Sequence, residues 1–138
     1  MFRGLAVAAI PVAMLTAPAA VADASEFQYV RTETGAVRCV ISAGHVGCER
    51  SSADGFPDAP KSQSGSGNFN IASIDADGTF AYGEGNIGGV DSDEVTLNYG
   101  QIYRFNGWTL LPGFDGTRFT NDVSGHGMFV SIDRVSSF

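Results

Sequence analysis

The sequence predicts an all-β fold, a small antiparallel barrel or sandwich of short strands with one disulfide-linked hairpin. Three observations lead there. No segment of a dozen residues beyond the N-terminal leader keeps apolar residues at helical spacing. Turn dipeptides recur, at Asp54-Gly55, Asp77-Gly78, Asn106-Gly107 and Asp115-Gly116, and separate short stretches rich in Val, Ile, Phe, Tyr and Thr. The only two cysteines, Cys39 and Cys48, sit at a spacing that suits the two arms of one hairpin.

Residues 1–22 read as a secretory signal peptide. Arg3 supplies the positive start, and Leu5 to Leu15 is apolar, interrupted only by Pro11. Small residues at Ala20 and Ala22, or at Ala22 and Ala24, make two overlapping cleavage sites, so cleavage follows residue 22 or alternatively residue 24. The apolar run is shorter than the ~20 residues a spanning helix needs. The remaining residues, 23–138, are expected to form a single β domain with no further membrane-spanning stretch. Its 7 basic and 15 acidic residues leave a charge of −8 once Arg3 is gone. Such a balance argues against nucleic acid as a partner, because phosphate binding needs clustered Lys and Arg.

The expected strands run, in order, over 27–32, 36–42, 45–50, 69–74, 79–82, 94–99, 101–105, 108–111, 117–121 and 128–134. In the last, Met128, Val130 and Ile132 alternate with Phe129, Ser131 and Asp133, which predicts one buried face. Residues 51–67 carry Pro57, Pro60, several Ser and Gly, and the only lysine, Lys61; they read as a long surface loop.

A turn centred on Ala43-Gly44 sets Ser42 opposite His45 and Cys39 opposite Cys48. Pairs alternate in hydrogen bonding outward from a two-residue turn, which makes Cys39/Cys48 a non-bonded pair with Cα atoms close enough for a disulfide. An exported chain with one such pair is expected to oxidise it. The ten-residue covalent loop should contribute about 2–3 kcal/mol. Ala43 resists positive φ, so a wider turn with the same pairing stays open.

Several other patterns carry chemistry only weakly. Gly83-Glu84-Gly85-Asn86-Ile87-Gly88 matches a dinucleotide fingerprint, but no helix start follows it, so it reads as a glycine-rich β connection and implies no cofactor. Asp75-Ala76-Asp77-Gly78 opens like a calcium loop, with Asp91, Asp93 and Glu94 as a second acidic group; its later ligand positions are unfilled, and solvated turns explain it. His126 lies between Ser124-Gly125 and Gly127, with Asp122 near, but no nucleophile-turn motif accompanies it. Its ring is expected to cap a backbone group. The second half is rich in aromatic residues, from Tyr82 to Phe129; most belong in a core, and Tyr99 and Trp108 join His126 as candidate binding residues.

The stretch Thr34-Gly35-Ala36-Val37-Arg38-Cys39 through Val46-Gly47-Cys48 resembles the signature of small exported actinobacterial proteins, many of them mycobacterial, of the DUF6636 type. Leu97-Asn98-Tyr99-Gly100, Gly107-Trp108, 115–121 and 125–131 resemble it too, so the similarity covers nearly the whole mature chain. The chain departs from the pattern at Arg31-Thr32-Glu33-Thr34, where the family has a Ser-Pro-Ser run. The resemblance implies export and a β fold, and transfers no activity. It also implies that Trp108 and Phe119 occupy the places of a second cysteine pair, with an aromatic contact in place of the covalent link.

The expected protein is thus secreted or envelope-associated, a binding or interaction module with no cofactor and an envelope or extracellular partner. It sets no oligomeric state. The alternatives are an exported hydrolase using His126 with an acidic partner, and a weak Ca²⁺-binding domain.

Overall fold

The computed structural model describes residues 26–89 and 93–138; the leader lies outside the described residues. Among the described residues, eleven strands form two sheets. The first sheet holds β1 (Gln28–Thr32), β2 (Val37–Ser42), β3 (His45–Arg50), β4 (Ile71–Asp75), β5 (Phe80–Gly83) and β6 (Val95–Leu97), in the order β5-β4-β3-β2-β1-β6. The second holds β7 (Tyr103–Phe105), β8 (Trp108–Gly113), β9 (Gly116–Asn121), β10 (Gly127–Val130) and β11 (Val135–Ser137), in the order β11-β10-β9-β8-β7. Neighbours pair antiparallel except β6, which runs parallel to β1. The arrangement is a sandwich rather than a closed barrel.

The strands follow the two-residue period of their side chains. Val37, Cys39 and Ile41 of β2 point inward, as do Trp108 and Leu110 of β8 and Met128 and Val130 of β10. These inner faces merge into one hydrophobic core shared by both sheets. At its centre Trp108 is fully buried, and its indole Nε1 donates to Ser42 O across the sheets at 2.9 Å. Asn106 makes a parallel link, donating through Nδ2 to Ile41 O at 2.9 Å.

The β2–β3 hairpin has the expected register, with Ser42 opposite His45 and Cys39 opposite Cys48. The cysteines are bonded, with Cα atoms 4.1 Å apart and both side chains in the core. The turn has two residues, and neither Ala43 nor Gly44 takes a positive φ, so Ala43 escapes the left-handed conformation it resists.

Two expectations are corrected. The last strand does not continue through 134. It ends at Val130, because Ser131 Oγ accepts from the backbone N–H of Asp133 and of Arg134, and Ser131 N donates to Arg134 O. The chain turns there, β11 folds back on β10, and Ile132 stands exposed rather than on a buried face. The 51–67 loop is not purely a surface feature, since Phe56 enters the core with no exposed area. Trp108 faces Asn121 and Phe119 faces Leu110, which makes Trp108 and Phe119 diagonal neighbours on the inner face.

Two stability measurements follow. Trp108→Ala should cost about 3–5 kcal/mol in denaturant unfolding, because it removes a fully buried ring and the indole donor. Replacing Cys39 and Cys48 together by Ala should cost about 2–3 kcal/mol, the loop-closure value for ten residues, with strand content in circular dichroism preserved.

Candidate functional site

Four connections meet at one end of the sandwich. They are the β1–β2 turn, the segment after β6, the β8–β9 turn and the β10–β11 turn. Together they bound a cleft of about 600 Å³. Val37, Thr117 and Val130, all buried, form its floor, which is therefore the open end of the core. Tyr99, Phe114 and Ile132 wall it with exposed apolar surface.

Each wall residue is placed by local structure. Phe114 sits at the tip of a two-residue turn between the paired Gly113 and Gly116, which leaves it 89% exposed. Tyr99 is held by its backbone N–H, which donates to Glu33 Oε2 at 3.1 Å, and by Gly100 N donating to Pro112 O at 3.0 Å. The two rings meet edge to face, centroids 6.4 Å apart and planes at 79°. Thr32, Thr34, Asp115, Asp133 and Arg134 bring polar groups of both charges to the mouth. An apolar floor, an aromatic wall and a polar mouth suit a ligand that buries one apolar part and hydrogen-bonds at its rim.

The candidate residues from the sequence scatter. Tyr99 is in the cleft. Trp108 is not available to a partner, since packing and its bond to Ser42 hold it inside the core; Phe114 is the ring that stands beside Tyr99 instead. Cys39 and Cys48 are structural. His126 follows the other end of β9, in the β9–β10 connection. Its Nδ1 lies 3.3 Å from the backbone oxygen of Phe138, and its ring packs on Gly78, where an added Cβ would lie 2.8 Å from Nδ1. Among the described residues no hydrogen bond joins its ring to a side-chain carboxylate, as a hydrolase would require, although Asp77 lies within electrostatic reach.

A second histidine contact was not legible in the sequence. His45 Nδ1 and Asp75 Oδ1 are 2.6 Å apart, directly opposite each other on β3 and β4 and half exposed. Only the β3–β4 register reveals it, because the residues lie 30 apart in the chain. Ser73 stands one inward-outward period away on β4, but its hydroxyl is donated to Ala81 O at 3.3 Å. A serine nucleophile would instead give that proton to the imidazole.

The acidic residues of the calcium reading have separate partners. Asp75 takes His45, Asp77 accepts from Thr79 N at 2.9 Å, and Glu94 pairs with Arg38 Nε at 3.2 Å. Among the described residues no three potential ligands gather, and Asp91 lies outside them. The Gly83–Gly88 stretch is an irregular connection: Ile87 N donates to Glu49 Oε2, and the carbonyls of Ile87 and Gly88 accept from Tyr29 and Arg38.

Among the described residues, two groups titrate away from their ordinary range. The Thr79 backbone N–H, then the Thr79 hydroxyl, hold the exposed Asp77 carboxyl below its usual pKa, with the charge of His126 adding to them. Burial, helped by the charge of Asp58, pushes Tyr82 up. Comparison with family models, with curated proteins and with solved structures finds no match to the chain.

Asp77 gives a pH prediction. Its folded pKa lies below the ordinary 3.8, so its contribution is present above that value and is lost as pH falls through the folded pKa. The difference in melting temperature between the wild type and Asp77→Ala should be constant near neutral pH and shrink below about pH 4.

Proposed function

We propose that the protein is an exported binding module, extracellular or envelope-associated, and that it takes its partner in the cleft walled by Tyr99 and Phe114. The observation that carries this reading is the exposed edge-to-face ring pair standing over an open end of the core. A small soluble domain that leaves a phenylalanine 89% exposed at a turn tip, beside a second ring and a cleft, has a surface suited to recognition. The Cys39–Cys48 disulfide is compatible with an oxidising compartment, and the apolar leader with its small-residue cleavage sites supports export. The resemblance to small exported actinobacterial proteins supports the same reading. The capped ring of His126 disfavours the hydrolase alternative, and the dispersed carboxylates disfavour the calcium one.

The test is capture of envelope and culture-fluid components by the mature, oxidised protein. Tyr99→Ala and Phe114→Ala should each weaken capture about tenfold without lowering the melting temperature. Val123→Ala should leave capture intact, because Val123 is 96% exposed but lies beyond the opposite end of β9. Equal capture by all three variants would overturn the reading.

A further inference from the structure

We infer that the occupant of this cleft is a basic, apolar peptide segment of a partner protein, whose lysine or arginine side chain meets the mouth while an apolar neighbour enters over the floor. The inference rests on the cleft reading above and adds the chemistry of the ligand. It comes from the balance of charge at the mouth. Arg134 is the one cation lining the cleft among the described residues, and its guanidinium carbon lies 5.0 Å from the centroid of the Phe129 ring. Phe129 belongs to the outer side of β10, since Met128 and Val130 point into the core.

The lining carboxylates outnumber Arg134 by two to one. Asp115 sits at the tip of the β8–β9 turn beside Phe114, and Asp133 in the β10–β11 turn; both side chains are exposed and neither is in an ion pair among the described residues. Glu33 adds a third negative charge behind Tyr99, to whose backbone it is bonded. The mouth is thus net negative, on a domain whose mature charge is −8. An anionic ligand would face these carboxylates at close range.

The aromatic wall fits the same occupant. The faces of Tyr99 and Phe114 carry negative quadrupole potential, which attracts an ammonium or guanidinium as well as the alkyl stem behind it. A lysine or arginine side chain presents both parts at once. The floor of Val37 and Val130 then accepts the neighbouring apolar side chain, which a free inorganic cation could not use.

The test uses three N-acetylated, C-amidated tetrapeptides that share leucine and phenylalanine and differ only in a central lysine, glutamine or glutamate. Each is titrated into isotope-labelled mature protein and followed by amide chemical shifts. The lysine peptide should shift resonances of residues 32–37, 99, 113–117 and 130–134, and bind about tenfold more tightly than the glutamate peptide at low salt. That preference should fall as salt rises and disappear in the Asp115→Asn, Asp133→Asn double variant, which keeps side-chain shape. If all three peptides bind at the cleft with equal affinity, or the glutamate peptide binds best, the basic occupant is overturned while the cleft stands. If no peptide shifts the cleft resonances, the inference and the cleft reading fall together.

Discussion

Two hydrogen bonds to carbonyls at the end of β2 tie the two sheets together. Ile41 O and Ser42 O lie where the first hairpin meets the second sheet, and a partly buried carbonyl gains from donors that a distant segment brings to it. Asn106 and Trp108, on either side of Gly107 in the β7–β8 turn, supply those donors. The same indole fills the middle of the core. One turn thereby sets both the distance between the sheets and their relative placement. With that end of the sandwich closed, the four connections at the other end are left as the walls of an opening.

The disulfide works on the same hairpin by a different route. It joins directly opposed residues of β2 and β3, so it limits the unfolded chain locally and secures the register on which Ile41 and Ser42 depend. The bonds from Asn106 and Trp108 act on a long-range contact, more than 60 residues apart in the chain. Local covalent closure prepares the hairpin; the distant polar groups dock it. Phe56 completes the core from the connection between β3 and β4, which explains why a loop so rich in Ser, Gly and Pro remains ordered against the sheet.

The cleft follows from how the turns are built. At the β8–β9 turn a two-residue connection has no room to fold its own side chains inward, so Phe114 and Asp115 project. At the β10–β11 turn the Ser131 hydroxyl replaces ladder bonds with local ones, and the strand stops four residues short of its expected end at 134. Ile132 consequently becomes a wall of the opening rather than part of the core. Short-range hydrogen bonding thus converts residues with core-like chemistry into recognition surface.

The all-β class, most strand positions and the pairing of Cys39 with Cys48 were readable from residue order, because each rests on interactions between near neighbours: side-chain alternation, turn dipeptides and the spacing of one hairpin. Tyr99 was among the aromatic residues singled out for binding, whereas Phe114 was not, because its exposure depends on the two-residue β8–β9 turn. The fate of Trp108 was not, since whether a tryptophan packs or projects depends on a carbonyl 66 residues away. Nor were the His45–Asp75 contact and the parallel pairing of β6 with β1, which need the order of strands within the sheet. Sequence by itself determined the local segments and their covalent closure; only tertiary structure decided which aromatic rings face water, because burial depends on what the rest of the chain brings against them.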